Sequence, residues 1–211
     1  MTQNKRILIG LTGGIGTGKS TVSNYLKSKG YEVIDFDLLS REVYLKGYEA
    51  YNEILKVFGE SVLSENGEID RKKLGEIVFS DERLLSKLNA ISHNAIYRRA
   101  EEMTESLSDD AEIVFLDVPL LFETKEYFSK YGLNLNEVWL VYADRNTQID
   151  RIMTRDGFSR EEAERRIDSQ MDIEEKLSLA DRVIENTGVP EEAFRTADRF
   201  LVDIGEKYHE Q

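Results

Sequence analysis

Apolar residues occur along this chain in two alternating kinds of stretch. Short runs bounded by glycine or an acid predict strands: Ile7-Leu8-Ile9-Gly10-Leu11, Tyr31-Glu32-Val33-Ile34-Asp35, Ile113-Val114-Phe115-Leu116-Asp117, Glu137-Val138-Trp139-Leu140-Val141-Tyr142 and Ala180-Asp181-Arg182-Val183-Ile184-Glu185-Asn186. Runs this short and this continuous suit strands buried on both faces, as in a parallel sheet. Between them, apolar positions recur every three or four residues, which predicts helices. Val22, Tyr25 and Leu26 form one such stripe, with Gly30 as its stop. From residue 38 to about 107 only helical spacing is found: Leu38, Leu39 and Val43, then Tyr51, Ile54, Leu55 and Phe58 up to Gly59. An Asn66-Gly67 turn follows, then Leu74, Ile77 and Val78 behind an Asp70 cap, and Leu84, Leu85 and Leu88 behind a Ser80 cap. Helical spacing resumes from Thr147, with Ile149, Ile152 and Met153. Ser159-Arg160-Glu161-Glu162 is a capping box opening a polar helix that runs through Gln170. The stretch from Arg160 to Met171 holds few large apolar residues and is expected to dock loosely, as a mobile flap. Pro190 opens a closing helix.

The connection after the first strand carries chemistry. Gly13-Gly14-Ile15-Gly16-Thr17-Gly18-Lys19-Ser20 fits G-x-x-x-x-G-K-[ST], with a strand before it and a helix after it. Glycines let the backbone close around a phosphate chain and aim successive N–H groups at its oxygens. The helix that begins there adds its positive end. Lys19 supplies a mobile cation for the β- and γ-phosphates, and the Ser20 hydroxyl can ligate Mg²⁺. Glycines at 14, 16 and 18 do not make G-x-G-x-x-G, which excludes a Rossmann site. The alternation of elements around this loop predicts a P-loop α/β fold: a five-stranded parallel sheet with helices on both faces, a helical insertion and a helical lid.

Acids fall where parallel-sheet proteins place ligands, at the carboxyl ends of strands. Asp117 after Ile113–Leu116 is a Walker B pattern, whose carboxylate holds Mg²⁺. Asp35 and Asp37 end the second strand. In extended backbone they point the same way, toward the phosphates; alternatively Asp37 caps the following helix. The pattern leaves both roles open. So it does for His93, one of two histidines, which is either structural or functional. Arg151, Arg155, Arg160, Arg165 and Arg166 crowd the lid stretch; some pair with neighbouring acids, and a lid over triphosphate needs at least one to meet transition-state charge.

The net charge of −13 argues against nucleic acid or an anionic membrane as partner. It leaves a phosphorylated small molecule open, since that senses only the field of a cleft. With no cysteine there is no disulfide framework and no thiolate metal site, which fits a reducing compartment. Met1 to Arg6 leads straight into a strand and does not resemble a signal peptide. No apolar run approaches the ~18 residues of a membrane span.

Taken in order, the residues resemble the dephospho-coenzyme A kinase family over nearly the whole chain. The resemblance rests on Leu11 to Thr21, on Val33-Ile34-Asp35-Phe36-Asp37 with Arg41, on Leu88-Asn89-Ala90 with His93, and on Asp117-Val118-Pro119-Leu120-Leu121-Phe122-Glu123. It continues in Arg151, Arg155-Asp156-Gly157, Gln170, Ala180-Asp181 and Asn186. Two positions depart from the family: Phe36 stands where a small residue is usual, and Asn94 where proline usually follows the histidine. The resemblance implies transfer of the γ-phosphoryl of ATP, with Mg²⁺, to the ribose 3′-hydroxyl of dephospho-coenzyme A. That is the last step of coenzyme A synthesis, carried out in the cytoplasm by a monomer or weak homo-oligomer. It implies a nucleotide-binding core (1–37, 108–146 and 178–211), a helical acceptor-binding domain (38–107) and a lid (147–177). It implies Asp37, Lys19 and Arg155 as catalytic residues; Gly14, Gly16, Thr17, Gly18, Lys19, Ser20, Thr21 and Asn186 on the nucleotide; Thr12, Asp35, Asp37, Arg41 and His93 on the acceptor; and Ser20 and Asp117 on the metal.

Overall fold

The computed structural model describes residues 6–209, the side chain of His209 excepted. The expectation for Met1–Lys5 lies outside the described residues. The strands are β1 (Ile7–Gly13), β2 (Glu32–Asp35), β3 (Ile113–Asp117), β4 (Glu137–Tyr142) and β5 (Arg182–Glu185). They form one five-stranded sheet in the order β2-β3-β1-β4-β5, with β1 at its centre. β1 runs parallel to β3, with Leu11 opposite Asp117, and parallel to β4, with Gly13 opposite Val141. Parallel neighbours require crossover connections, and helices supply them. In chain order these are α1 (Lys19–Ser28), α2 (Phe36–Glu42), α3 (Glu49–Phe58), α4 (Arg71–Val78) and α5 (Glu82–Ser106). Then come α6 (Lys125–Lys130), α7 (Arg145–Asp156), α8 (Arg160–Asp168), α9 (Ile173–Leu179) and α10 (Pro190–His209).

The described residues form two compact units. The first holds the chain up to Ile34, Leu107–Lys125 and the chain from Leu133 onward; the second holds Asp35–Ser106 and Glu126–Gly132. In the first unit, one sheet face (Ile9, Leu11, Phe115, Trp139, Ile184) packs on Val22 and Leu26 of α1 and on Ala193, Ala197 and Ile204 of α10. The buried Glu137 carboxylate ties this layer together. It accepts from the Trp139 indole at 3.1 Å, from Arg182 Nε of β5 at 2.7 Å and from Lys207 Nζ of α10 at 2.8 Å. Burial alone disfavours its charged form, but the Arg182, Lys207 and Trp139 hydrogen bonds outweigh that and hold the carboxyl below its ordinary 4.5.

A folded carboxyl below its unfolded value stabilises the protein above the ordinary value, and that stability is lost as pH falls through the lowered one. Glu137→Gln is therefore expected to weaken the fold by roughly 2 kcal/mol at neutral pH, with the gap to wild type shrinking in acid. Urea unfolding at pH 7 and below pH 4 measures it; a gap that stays constant with pH would remove Glu137 as its source.

The expectation that the Arg160–Met171 stretch docks loosely is corrected here. α8 stops at Asp168 and is not poorly anchored: Ala163 and Ile167 are buried in a cluster with Ile149 and Ile152 of α7. Two apolar positions four apart suffice because α7 presents a matching stripe.

In the second unit, Ile54, Val62, Leu74, Val78 and Leu88 form a separate core. Asp70 caps α4 by accepting from Lys72 N and Lys73 N, as expected. α5 begins one residue later than its Ser80 cap predicts. Asp81 Oδ1 accepts from Arg83 N at 2.8 Å, while the Ser80 hydroxyl donates to the Ile77 carbonyl. The pattern of 38–107 showed no β alternation, yet Leu63 and Ile69 pair in an isolated antiparallel bridge around the Asn66-Gly67 turn. α6 has no sequence signal strong enough to assign it. Its segment joins the second unit because Tyr127, Phe128 and Tyr131 stack around Tyr97 of α5 at 4.9–6.4 Å between ring centroids.

Candidate active site

β1 delivers the chain into the glycine-rich loop, and α1 starts at Lys19 with Gly18 as its cap. The turn needs left-handed backbone at Gly16 (φ 80°) and Gly18 (φ 82°), which side chains rarely tolerate. Thr17 closes the loop on itself, its N and Oγ1 donating to the Gly14 carbonyl at 3.2 and 2.9 Å. Gly18 caps α1 without a side-chain hydrogen bond. The positive end of α1, at Lys19 and Ser20, favours an anion, while the Thr21 amide is turned to the Gly18 carbonyl. A Cβ at Gly18 would lie 2.2 Å from Asn186 Nδ2. Gly18→Ala is expected to lose roughly 1–2 kcal/mol from the backbone alone. It should also lower ATP affinity; calorimetric titration showing wild-type affinity would count against the loop geometry.

Asp117 ends β3 beside this loop and is 2% exposed. Lys19 Nζ donates to its Oδ1, forming an ion pair that neutralises a buried carboxylate. Ser20 is exposed at the second position of α1, and Thr21 N donates to the Gly18 carbonyl at 2.9 Å. Thr12 is fully buried, its hydroxyl 3.4 Å from the Pro119 carbonyl. That carbonyl also accepts from Lys176 Nζ at 3.3 Å, and this buried lysine pairs with Glu123 at 3.0 Å. Asn186, 3% exposed, donates from Nδ2 to the Thr17 carbonyl at 2.8 Å, while its Oδ1 is buried with no partner among the described residues. Arg155 is exposed at the end of α7 and grips Asp156 through two hydrogen bonds of 2.8 Å.

The expected residues of the second unit are arranged differently from the sequence picture. Asp35 and Asp37 do not lie side by side in extended backbone. The chain has already turned into α2 at Phe36, and Asp35, not Asp37, is the cap, accepting from Asp37 N at 2.9 Å and Leu38 N at 3.2 Å. Asp37 is exposed in the first helical turn, and Arg41 is exposed in the last. His93 packs edge-on to the Tyr127 ring at 5.0 Å. Burial pushes its pKa below the ordinary 6.5, against the opposing charge of Glu126. The two departures from the family pattern are both absorbed. Phe36 is 5% exposed and packs on Tyr97 and Phe128, and Asn94 Oδ1 accepts from Lys130 Nζ at 2.7 Å and Tyr131 Oη at 3.0 Å.

The first unit thus gathers Thr12, Gly14 to Thr21, Asp117 and Asn186 at the carboxyl end of the sheet. Two contacts there went unread in the sequence. Gln170 Oε1 accepts from Ile15 N at 3.0 Å, and Arg151 reaches the loop carbonyls. Both are polar residues within the motifs that carry the family resemblance, which is the signal that could have marked them. Among the described residues no cluster of three or more His, Cys, Asp or Glu could hold a metal. Among the same residues, no helix is long and apolar enough to cross a membrane.

A parallel sheet whose central strand opens into a lysine-bearing phosphate loop, with an acid on the adjacent strand, defines a P-loop nucleotide-binding protein. A family model described as "Dephospho-CoA kinase" matches residues 7–191. The chain belongs to the dephospho-CoA kinase family and is an ATP-using phosphotransferase of coenzyme A synthesis. It is 46% identical over 183 residues to the dephospho-CoA kinase of Bacillus cereus, spanning 86% of this chain and 89% of that one. The dephospho-CoA kinase of Campylobacter jejuni superposes with a TM-score of 0.70 at 29% identity, covering 96% of this chain and 99% of that one. A shikimate kinase from Aquifex aeolicus, at a TM-score of 0.50 and 14% identity over 95% and 98% of the two chains, shares the fold alone.

Proposed function

We propose that the chain transfers the γ-phosphoryl of ATP to the ribose 3′-hydroxyl of dephospho-coenzyme A, releasing ADP and coenzyme A. The observation that carries this is the phosphate loop with Lys19 paired to the buried Asp117, in a chain whose family match spans residues 7–191. Gly14 to Thr21 cradle the phosphates, and Lys19 leaves Asp117 to meet the β- and γ-phosphates as nucleotide arrives. Asn186, whose buried Oδ1 has no partner among the described residues, supplies a further nucleotide contact. Mg²⁺ fits the hard oxygen donors of the Ser20 hydroxyl and the Asp117 carboxylate, and bound there it would neutralise phosphate charge.

Asp37 accepts the proton of the 3′-hydroxyl as that oxygen attacks, its place in the first turn of α2 leaving its carboxylate exposed. Asp35 holds that turn in shape; Arg41 and His93, within an acceptor-binding domain of residues 38–107, and Thr12 of β1 bind the acceptor. Residues 147–177 act as the lid over the nucleotide, with Arg155 meeting the transferring group. Most of the rate comes from positioning and charge stabilisation. The enzyme works in the cytoplasm as a monomer or weak homo-oligomer.

ADP release is measured on adding dephospho-coenzyme A, with adenosine, AMP, shikimate and gluconate as controls. Turnover with dephospho-coenzyme A alone is expected. Equal or faster turnover with a control acceptor would overturn the substrate assignment.

A further inference from the structure

We propose that Arg151 is a positioning residue for the phosphate loop: it holds loop carbonyls on the outer side so that the following amide stays aimed at phosphate. The proposal rests on the loop being the ATP site. Arg151 Nη1 donates to the Thr17 carbonyl at 3.1 Å and to the Gly16 carbonyl at 3.3 Å, and Nη2 donates to the Asn186 carbonyl at 2.7 Å. One planar guanidinium therefore bridges the loop and the residue that follows β5.

The Thr17 carbonyl is gripped twice, by Arg151 and by Asn186 Nδ2 at 2.8 Å, which engages both of its lone pairs. A peptide unit is planar, with C=O and N–H pointing in opposite directions. Fixing the Thr17 carbonyl outward therefore fixes the Gly18 N–H inward. The side of the loop that carries this brace is marked by Gly18 itself: a Cβ there would lie 2.2 Å from Asn186 Nδ2 and 3.5 Å from Arg151 Nη1. Four residues on, Arg155 is exposed and pairs with its neighbour Asp156. Of these two arginines on α7, one is committed to backbone and the other is open to solvent. A lysine cannot reproduce the brace, because one ammonium cannot span two segments as a fork does.

The test compares wild type with Arg151→Lys and with Arg151→Met, which keeps an apolar stem. ATP and ADP affinity are measured by calorimetry without acceptor, alongside kcat, KM for ATP and the thermal midpoint; whichever variant folds carries the result. Affinity for both nucleotides is expected to fall about 10-fold or more, with kcat at saturating ATP falling less. Asn186→Ala should act in the same direction, and the double variant should lose less than the product of the two, because both side chains hold the Thr17 carbonyl. Wild-type affinity in a folded variant would overturn the proposal. So would full affinity with a collapsed kcat, which would make Arg151 a group that touches the transferring phosphoryl. A wild-type protein that fails to bind ATP would overturn the loop assignment itself, a result distinct from either.

Discussion

Lys19→Ala is expected to lower kcat by about 10²–10³-fold, the loss typical of removing one preorganised donor to a developing charge. The lysine is the cation of the phosphate loop, and no neighbouring backbone amide carries a full charge in its place. The substitution acts a second way. Asp117 has a side chain only 3% exposed, and Lys19 neutralises it in the ligand-free structure. Removing the ammonium leaves a buried carboxylate alone, which destabilises the fold by about 1–3 kcal/mol. Activity must therefore be expressed per folded molecule, with urea unfolding run in parallel. Adding Asp117→Asn to Lys19→Ala should restore stability without restoring turnover, because the buried charge is gone and the loop still lacks its cation. Near-normal kcat in the single variant would mean that Lys19 serves the fold alone.

Asp37→Asn is expected to lower kcat by about 10²–10⁴-fold while ATP affinity changes little, since a general base acts on the acceptor proton and not on the nucleotide. The structure makes this substitution informative because it separates the two neighbouring acids. Asp35 spends its carboxylate on the Asp37 and Leu38 amides, so Asp35→Ala should weaken the fold by about 1 kcal/mol. Asp37 is not that cap: its backbone amide donates to the Asp35 side chain, and the residue is exposed. Steady-state kinetics with saturating dephospho-coenzyme A, beside ATP titration, distinguishes the roles. An unchanged kcat in Asp37→Asn would leave that residue with a binding role only.

Much of the fold was legible because its signals are local. All five strands, the Gly30 and Gly59 stops, the Asp70 cap and the Ser159–Glu162 capping box lie where periodicity and end chemistry put them. The misreadings have a common cause. At Asp35-Phe36-Asp37 the pattern left open an extended pair of acids or a cap at Asp37, and the Asp35 side chain captured the two amides instead. At α8 the count of apolar residues was low, and what mattered was the stripe on α7 that met them.

By itself the sequence determined the phosphate loop, its flanking strand and helix, and the order of the five sheet strands along the chain. These depend on contacts within a few residues, so composition and spacing suffice to encode them. Only the tertiary structure decided that Lys19 pairs with Asp117 across 98 positions, that Arg151 and Asn186 meet behind the loop, and that Glu126–Gly132 packs with the second unit. Periodicity reports that a face is apolar or that a donor is present. It does not report which distant face or acceptor lies opposite, because that depends on how the whole sheet is ordered.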